Sequence, residues 1–598
     1  MQTKAKIILI VFFGILTLFL AFLILALEAS GDQAPEEILP KWMTPAESLR
    51  VHEIGKDHKV TDPPEGWVET PGEFEKLRGV WITWIQYSYD NVFREIVREV
   101  VDVCKAYIIV GGSSEQSYVE SYLTSGGVPL DSVYFYVYPR NSVWIRDYGP
   151  WFIREEGDSE AIVDFIYNRP RPNDDAIPGR IGTSWGMPVY GSPLEHPGGN
   201  FMVDGLGTGF ASDLIYDENP GYTPSEIDSI MLAYNGLEQF VVVQKINIEY
   251  TGHIDLWTKC LNDTLIMVGE YAPGHANHEL LKQHAAYFES LTNREGHPYR
   301  VVKIPMPWST SSAPPSYLNS LIVNNKVLVP LWNKAEDDTA LIIYQQALPD
   351  HQIVGIDCSG MSGSGGAIHC ITIQAPSAKF IHIKHDPLDD TEDMANPYRV
   401  RAQMLTSSGF VADSTVVCYK VNRAPSFGSA PLTAVIDTPG VYAGYIPAQS
   451  VGDTVHYYIH CLNTDGFLRN SPWHAASHLY SFRVGSTAPV PVTDLRIQLS
   501  GSDLRLEWSA VTTDGFGSPV VVDQYRIYRD TVAYFEPGSE PFDSTAMLFY
   551  TDDTAGTGDT GTNYYYTVTA VASGKESGIS DLCGEFDREL MIGHQRDN

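Results

Sequence analysis

From Ile7 to Ala26 the chain is apolar almost without a break, interrupted by Gly14 and Thr17. Such a run of about 20 residues is long enough to cross a bilayer. Lys4 and Lys6 precede it, and Glu28, Asp32, Glu36 and Glu37 follow. That charge order predicts an N-terminus on the cytoplasmic side and an exported remainder, extracytoplasmic or cell-surface, with segment 1–30 either a signal peptide or an uncleaved membrane anchor. Residues 31–65 are rich in proline and charge and keep no period, so they read as a linker.

From residue 66 the pattern alternates between two periods. Val80 to Trp84 reads as a strand. Asn91 to Cys104 reads as an amphipathic helix, with Val92, Phe93, Ile96, Val97, Val100 and Val101 on one face. Ala106–Val110 is again a strand, Glu115–Thr124 a helix and Val133–Val137 a strand. This rhythm runs on to residue 377 and predicts an α/β domain. Over 378–486 the texture becomes short alternating runs punctuated by Gly, Pro, Asn and Asp, such as Tyr398–Ala402, Thr415–Val421 and Val455–His460, the pattern of a β-sandwich. A second all-β unit covers 492–584, and 585–598 is a tail.

Length and composition narrow the function. A chain of 598 residues with 43% hydrophobic and 12% aromatic residues builds several cores. Its net charge of −34 opposes nucleic-acid binding, which needs Lys and Arg against phosphate. The same charge favours cationic substrates, or equally reflects a solubility-tuned surface. Seven cysteines without a CxxC pair exclude a dense disulfide framework and a zinc ribbon. Cys418 and Cys461 lie in two strands of the first sandwich, open to a disulfide or to two separate thiols.

The candidate chemistry centres on Gly363–Pro376, where glycines lead into Cys370 ahead of an Ile-Thr-Ile run. Glycine lets backbone approach a ligand closely, so Cys370 is a candidate nucleophile with its sulfur at the floor of a cleft; a buried strand cysteine is the bland alternative. Four clusters precede it. Trp144-Ile-Arg-Asp147-Tyr-Gly-Pro150 holds a carboxylate at a strand end. Asn168-Arg169-Pro-Arg171-Pro172 makes a stiff, twice-cationic finger suited to a carboxylate. Glu195-His-Pro-Gly-Gly-Asn200 is a tight turn. In Gly252-His253-Ile-Asp255, strand alternation would put His253 and Asp255 on one face, an acid/base pair.

In this order the motifs resemble the guanidine-modifying (pentein) superfamily over residues 66–377, and within it the agmatine deiminases and, more closely, the Porphyromonas-type peptidylarginine deiminases. The resemblance implies a five-bladed, pseudo-symmetric α/β-propeller followed by an immunoglobulin-like sandwich. Residues 492–584 resemble a fibronectin type III domain through Leu504–Trp508, the Tyr525-Arg-Ile-Tyr528 strand and Tyr566-Thr-Val-Thr-Ala-Val571.

The resemblance also implies the roles. Asp147 and Asp255 flank a substrate guanidinium, Cys370 attacks its carbon, and His253 moves protons through a covalent thiouronium. Arg169 and Arg171 grip the C-terminal carboxylate of a substrate peptide, Asn319 completes the site, and Trp144 and Tyr250 wall the arginine stem. No metal or other cofactor is required. The expected function is hydrolysis of peptide or protein arginine to citrulline and ammonia; alternatives are an agmatine deiminase giving N-carbamoylputrescine and a non-catalytic surface adhesin. A weaker reading makes His253, Asp255 and His369 metal ligands.

Overall fold

The structure is a computed structural model that describes residues 38–155, 159–247, 249–473, 475, 479–555 and 562–585. The apolar run Ile7–Ala26 lies outside the described residues, and no described helix is long and apolar enough to cross a membrane. The chain divides into two compact units between Ala378 and Lys379.

The first unit contains five separate sheets built on one plan. A short strand pairs antiparallel with a second strand; a helix follows, and a third strand returns parallel to the second. The plan appears in Trp151–Glu155, Ser159–Ile166 and Val189–Glu195, and again in Met202–Val203, Thr208–Ser212 and Gln239–Val243. It recurs in Thr258–Cys260, Leu265–Glu270 and Arg300–Pro305, and in Leu321–Val323, Lys326–Leu331 and Gln352–Asp357. The fifth copy is split between the ends of the unit. Thr372–Pro376 pairs antiparallel with Leu77–Thr83, which runs parallel to Lys105–Val110. The last strand therefore closes onto the first long one.

Local chemistry explains the elements. The helix Asp90–Val101 buries Val92, Phe93, Ile96, Val97 and Val100, one face at helical spacing. Each such side chain contributes about 1.5–3 kcal/mol when fully buried. It stops short of Cys104, so the helix expected to reach that residue ends a turn early. The helix Pro224–Asn235 starts on a capping box between Thr223 and Glu226, which satisfies otherwise orphaned N–H groups. The central strands Val80–Ile82, Ile108–Val110 and Val327–Val329 are continuously buried, as expected for parallel strands covered on both faces.

Residues 38–65 do not behave as a linker. Lys41 and Glu47 are buried, Thr61 N donates to Gly191 O at 3.0 Å, and His58 Nε2 lies 2.9 Å from Ser192 O. The segment is packed along the first unit.

The second unit is all-β. Sheets holding Ile381–His385, Tyr398–Thr406 and Val441–Ile446 on one side, and Val416–Val421 and Thr454–Leu462 on the other, share a core that includes Val400, Val417, Tyr457 and Ile459. A second pair of sheets encloses Leu504, Leu506, Trp508, Ile527, Tyr566 and Val568. Cys418 and Cys461 are both free thiols. Cys418 pairs across the sheet with Tyr458, three residues before Cys461. That odd offset turns the two side chains to opposite faces, so no disulfide forms.

Candidate active site

The repeated plan brings the chemistry together. Asp147, the Gly199-Asn200 turn, His253 with Asp255, Asn319 and Cys370 each lie in the turn leading into the first strand of a different copy. Residues more than 200 positions apart thus converge because they hold equivalent places in the repeat.

Two of these turns differ from the sequence expectation. His253 and Asp255 are not on a strand: Gly252 takes φ +71, and Ile254–Leu256 form one turn of 3-10 helix. Asp147 sits in the single helical turn Ile145–Tyr148, ended by Gly149-Pro150. The Asn200 amide holds the first of these turns, with its oxygen accepting from Ser212 N at 2.9 Å and Ile254 N at 3.3 Å.

Cys370 is held by Asn319. Asn319 Nδ2 donates to Cys370 Sγ at 3.0 Å and to Asp255 Oδ2 at 3.1 Å. Its oxygen accepts from Ala367 N at 2.8 Å and Cys370 N at 3.2 Å. Asp255 Oδ2 also lies 2.8 Å from His369 Nδ1, and His369 Nε2 lies 2.9 Å from Glu73 Oε2. Glu73 in turn accepts from Arg146 at 2.7 Å. Both His369 nitrogens are therefore committed to carboxylates, and no group of three or more metal-ligating side chains gathers among the described residues.

Two glycines are fixed by space. A Cβ on Gly199 would stand 2.6 Å from His253 Nδ1 and 2.7 Å from Asp147 Oδ1. One on Gly366 would stand 2.5 Å from Cys370 Sγ. His253 Nδ1 is 3.3 Å from Asp147 Oδ1, and neither ring nitrogen has a partner in hydrogen-bond geometry among the described residues. A buried imidazole so placed is open to carry a proton.

The sulfur is fully buried, not exposed at a cleft floor, because Lys41 covers it. Lys41 Nζ donates to Cys370 Sγ at 2.9 Å and stands 3.9 Å from Asp147 Oδ1 and 3.7 Å from Asp255 Oδ1. That last oxygen accepts no hydrogen bond among the described residues. Two buried carboxylates facing one point require a cation there, and Lys41 supplies it.

The ionisation states follow. Burial opposes the Lys41 charge, but Asp147, Asp255 and Cys370 outweigh it and hold its pKa well above the usual lysine range. Burial likewise opposes the Asp255 charge, yet Lys41 and His369 hold that carboxyl well below its usual range. Asp147 is lowered against burial by Lys41 and His253. Burial, then Lys41, lowers His253. Burial, then Asp255, pushes the Cys370 thiol up to about 12 against the pull of Lys41. The covered site thus holds an ammonium, two carboxylates, a neutral imidazole and a thiol.

Arg169 and Arg171 grip the same segment. Arg169 Nε donates to Lys41 O at 3.2 Å; Arg171 Nη2 donates to Pro40 O at 2.8 Å, and its Nε to Glu47 Oε1 at 2.6 Å. Trp144 is buried and donates to Leu39 O at 2.8 Å. Tyr250 is 60% exposed and packs on Trp42, centroids 4.9 Å apart. Sequence reasoning missed Lys41, Glu47 and Glu73, which no motif marks. His369 had a signal in its position beside Cys370.

Comparison with known proteins gives the family of the first unit. A family model described as Porphyromonas-type peptidyl-arginine deiminase matches residues 69–376. A Streptomyces avermitilis protein provisionally assigned as an agmatine deiminase is 23% identical over 53% of this chain and 99% of its own. One of Vibrio parahaemolyticus, assigned in the same way, is 24% identical over 53% of this chain and 99% of its own. A solved structure of the agmatine deiminase of Enterococcus faecalis is 21% identical, with TM-score 0.47, covering 53% of this chain and 100% of that one.

Proposed function

We propose, from the premise that this chain belongs to the Porphyromonas-type peptidyl-arginine deiminase family and is a hydrolase of guanidino C–N bonds, that its substrate is an arginine carried by a peptide and ending it. The guanidinium enters between Asp147 and Asp255, which replace its hydration shell and balance its charge. Cys370 passes its thiol proton to His253, and the resulting thiolate attacks the central carbon, giving a tetrahedral adduct. His253 protonates the departing ammonia, and a thiouronium remains on sulfur. Water deprotonated by His253 then adds to that carbon, the C–S bond breaks, and citrulline leaves as the thiolate is restored.

One observation carries the peptide assignment over agmatine. With the Lys41 amine on Cys370, Arg169 reaches the main-chain oxygen of that same residue and Arg171 the oxygen before it. Agmatine has no such oxygen, and two arginines beside a dication would repel it. A terminal carboxylate in the place of the Lys41 carbonyl would meet the Arg169 guanidinium, with Arg171 on the peptide oxygen before it.

The test is mass spectrometry of three substrates with Lys41→Ala protein: a peptide ending in arginine, its C-terminal amide, and agmatine. Citrulline formation adds about one dalton. The free-acid peptide should exceed the amide by about tenfold or more in kcat/KM, the worth of one charge-assisted hydrogen bond. Preferential turnover of agmatine would move the assignment to the small-amine branch. The reading extends to architecture: the five repeated sheets are the five blades of a closed propeller. A crystal structure of the chain in which they fail to surround one axis would refute that.

A further inference from the structure

Between Leu39 and Glu47 the chain lies in the cleft as a substrate would, and three features of that contact bear on activity. The first is position. Lys41 is the cation that faces Asp147, Asp255 and the Cys370 sulfur together, so no guanidinium can enter while it stays. The second is anchorage. Trp144, Arg171 and Arg169 bond to the carbonyl oxygens of Leu39, Pro40 and Lys41, and Lys41 N donates to Ser364 O at 3.3 Å. Glu47, oriented by Thr44, pairs with Arg171, and Trp42 packs on Tyr250. The third is chemistry. An ammonium offers the charge the carboxylates need but no carbon for sulfur to attack, so it occupies the site without reacting.

We propose that residues 39–47 are a built-in pseudosubstrate that keeps the enzyme latent, with Lys41 in the place of the reacting arginine, until the segment is displaced or cut free. This rests on the function proposed above. The segment is tethered, so its effective concentration is in the millimolar range and it outcompetes dilute substrate by about 10²-fold or more. Leu49 and Val51, just beyond it, are 81% and 50% exposed, a stretch where the chain is open to a protease. Once cut there, the plug is diluted like any other ligand.

The test compares the parent chain with Lys41→Ala. The first readout is iodoacetamide labelling of Cys370, mapped by peptide mass, with buried Cys260 as a folding control. The second is citrulline release from a peptide ending in arginine. Opening the cleft should speed both at Cys370 by about tenfold or more while Cys260 labelling stays unchanged. The labelling result separates a plug from a purely electrostatic neighbour, because loss of a cation beside sulfur disfavours the thiolate and would slow labelling. Equal or slower Cys370 labelling in Lys41→Ala overturns the proposal. Faster labelling without any turnover upholds the plug and sinks the deiminase reading instead. A Lys41→Arg chain gives an independent check: residue 41 should convert to citrulline within its own molecule, at a rate independent of protein concentration, and a residue 41 left intact counts against the pseudosubstrate.

Discussion

Replacing Asp255 by asparagine removes one of the two charges that receive the guanidinium and keeps the side chain's size. Asp255 Oδ1 lies 3.7 Å from the Lys41 nitrogen, the point a substrate cation must take. At an effective dielectric of about 20, unit charges that far apart attract by about 4 kcal/mol. Breaking one partner of a buried pair costs about 3–5 kcal/mol, in the same range. At 1.36 kcal/mol per decade this corresponds to a fall of about 10²–10⁴ in kcat/KM. The asparagine oxygen can still accept from Asn319 and His369, which leaves its NH₂ group facing the guanidinium, donor against donor. The assay is citrulline release from an arginine-ended peptide by Lys41→Ala and by Lys41→Ala/Asp255→Asn. Asp255 raises the Cys370 pKa, so the same change should increase Cys370 alkylation while turnover falls. General damage to the fold would not separate the two readouts in that way. A kcat/KM within about threefold of the Lys41→Ala protein, less than 0.7 kcal/mol or so, would refute the clamp.

Other changes test other parts of the site. Asn319→Ala removes the donor to sulfur and should lower kcat by about 10²–10³ in the Lys41→Ala background; a change confined to KM would contradict its place at the nucleophile. Gly199→Ala forces a methyl group against His253 and Asp147 and should cut activity at least about tenfold, the cost of a small misplacement of catalytic groups, while circular dichroism stays that of the parent; full activity would mean the turn has room. Burial pushes the Glu218 carboxyl, beside Asn168, up to about 8 from 4.5. The folded chain then keeps a proton that the unfolded chain loses, so stability from this group is complete below pH 4.5 and falls as pH rises through 8. Glu218→Gln should raise Tm by about 2 °C or more at pH 8 and leave it nearly unchanged at pH 4.5; a gain independent of pH would contradict that titration.

The reacting residues were legible because each is flanked by small or rigid residues that the geometry requires. Gly199 and Gly366 are where side chains would strike His253, Asp147 or the sulfur, and that crowding writes the Gly-Gly motifs. The repeat was not legible. Its first strands are as short as Met202–Val203, too brief for a period, and one copy is split between Leu77 and Pro376. Alternation misplaced His253 and Asp255 on a strand because Gly252 turns the chain there. The segment around Lys41 reads as a linker because its buried contacts run through a lysine amine, a glutamate carboxylate and main-chain oxygens, which leave no hydrophobic pattern. Only the fold shows that Lys41 meets residues over 300 positions away.

The most direct test of the central claim is to acid-quench Lys41→Ala protein during turnover of an arginine-ended peptide and map the modified residue by mass. The account predicts that the Cys370 peptide carries the substrate less one ammonia, that the adduct disappears as substrate is exhausted, and that a Cys370→Ser chain yields neither adduct nor citrulline. Citrulline formed without an adduct at Cys370, or formed by the serine variant, would contradict it.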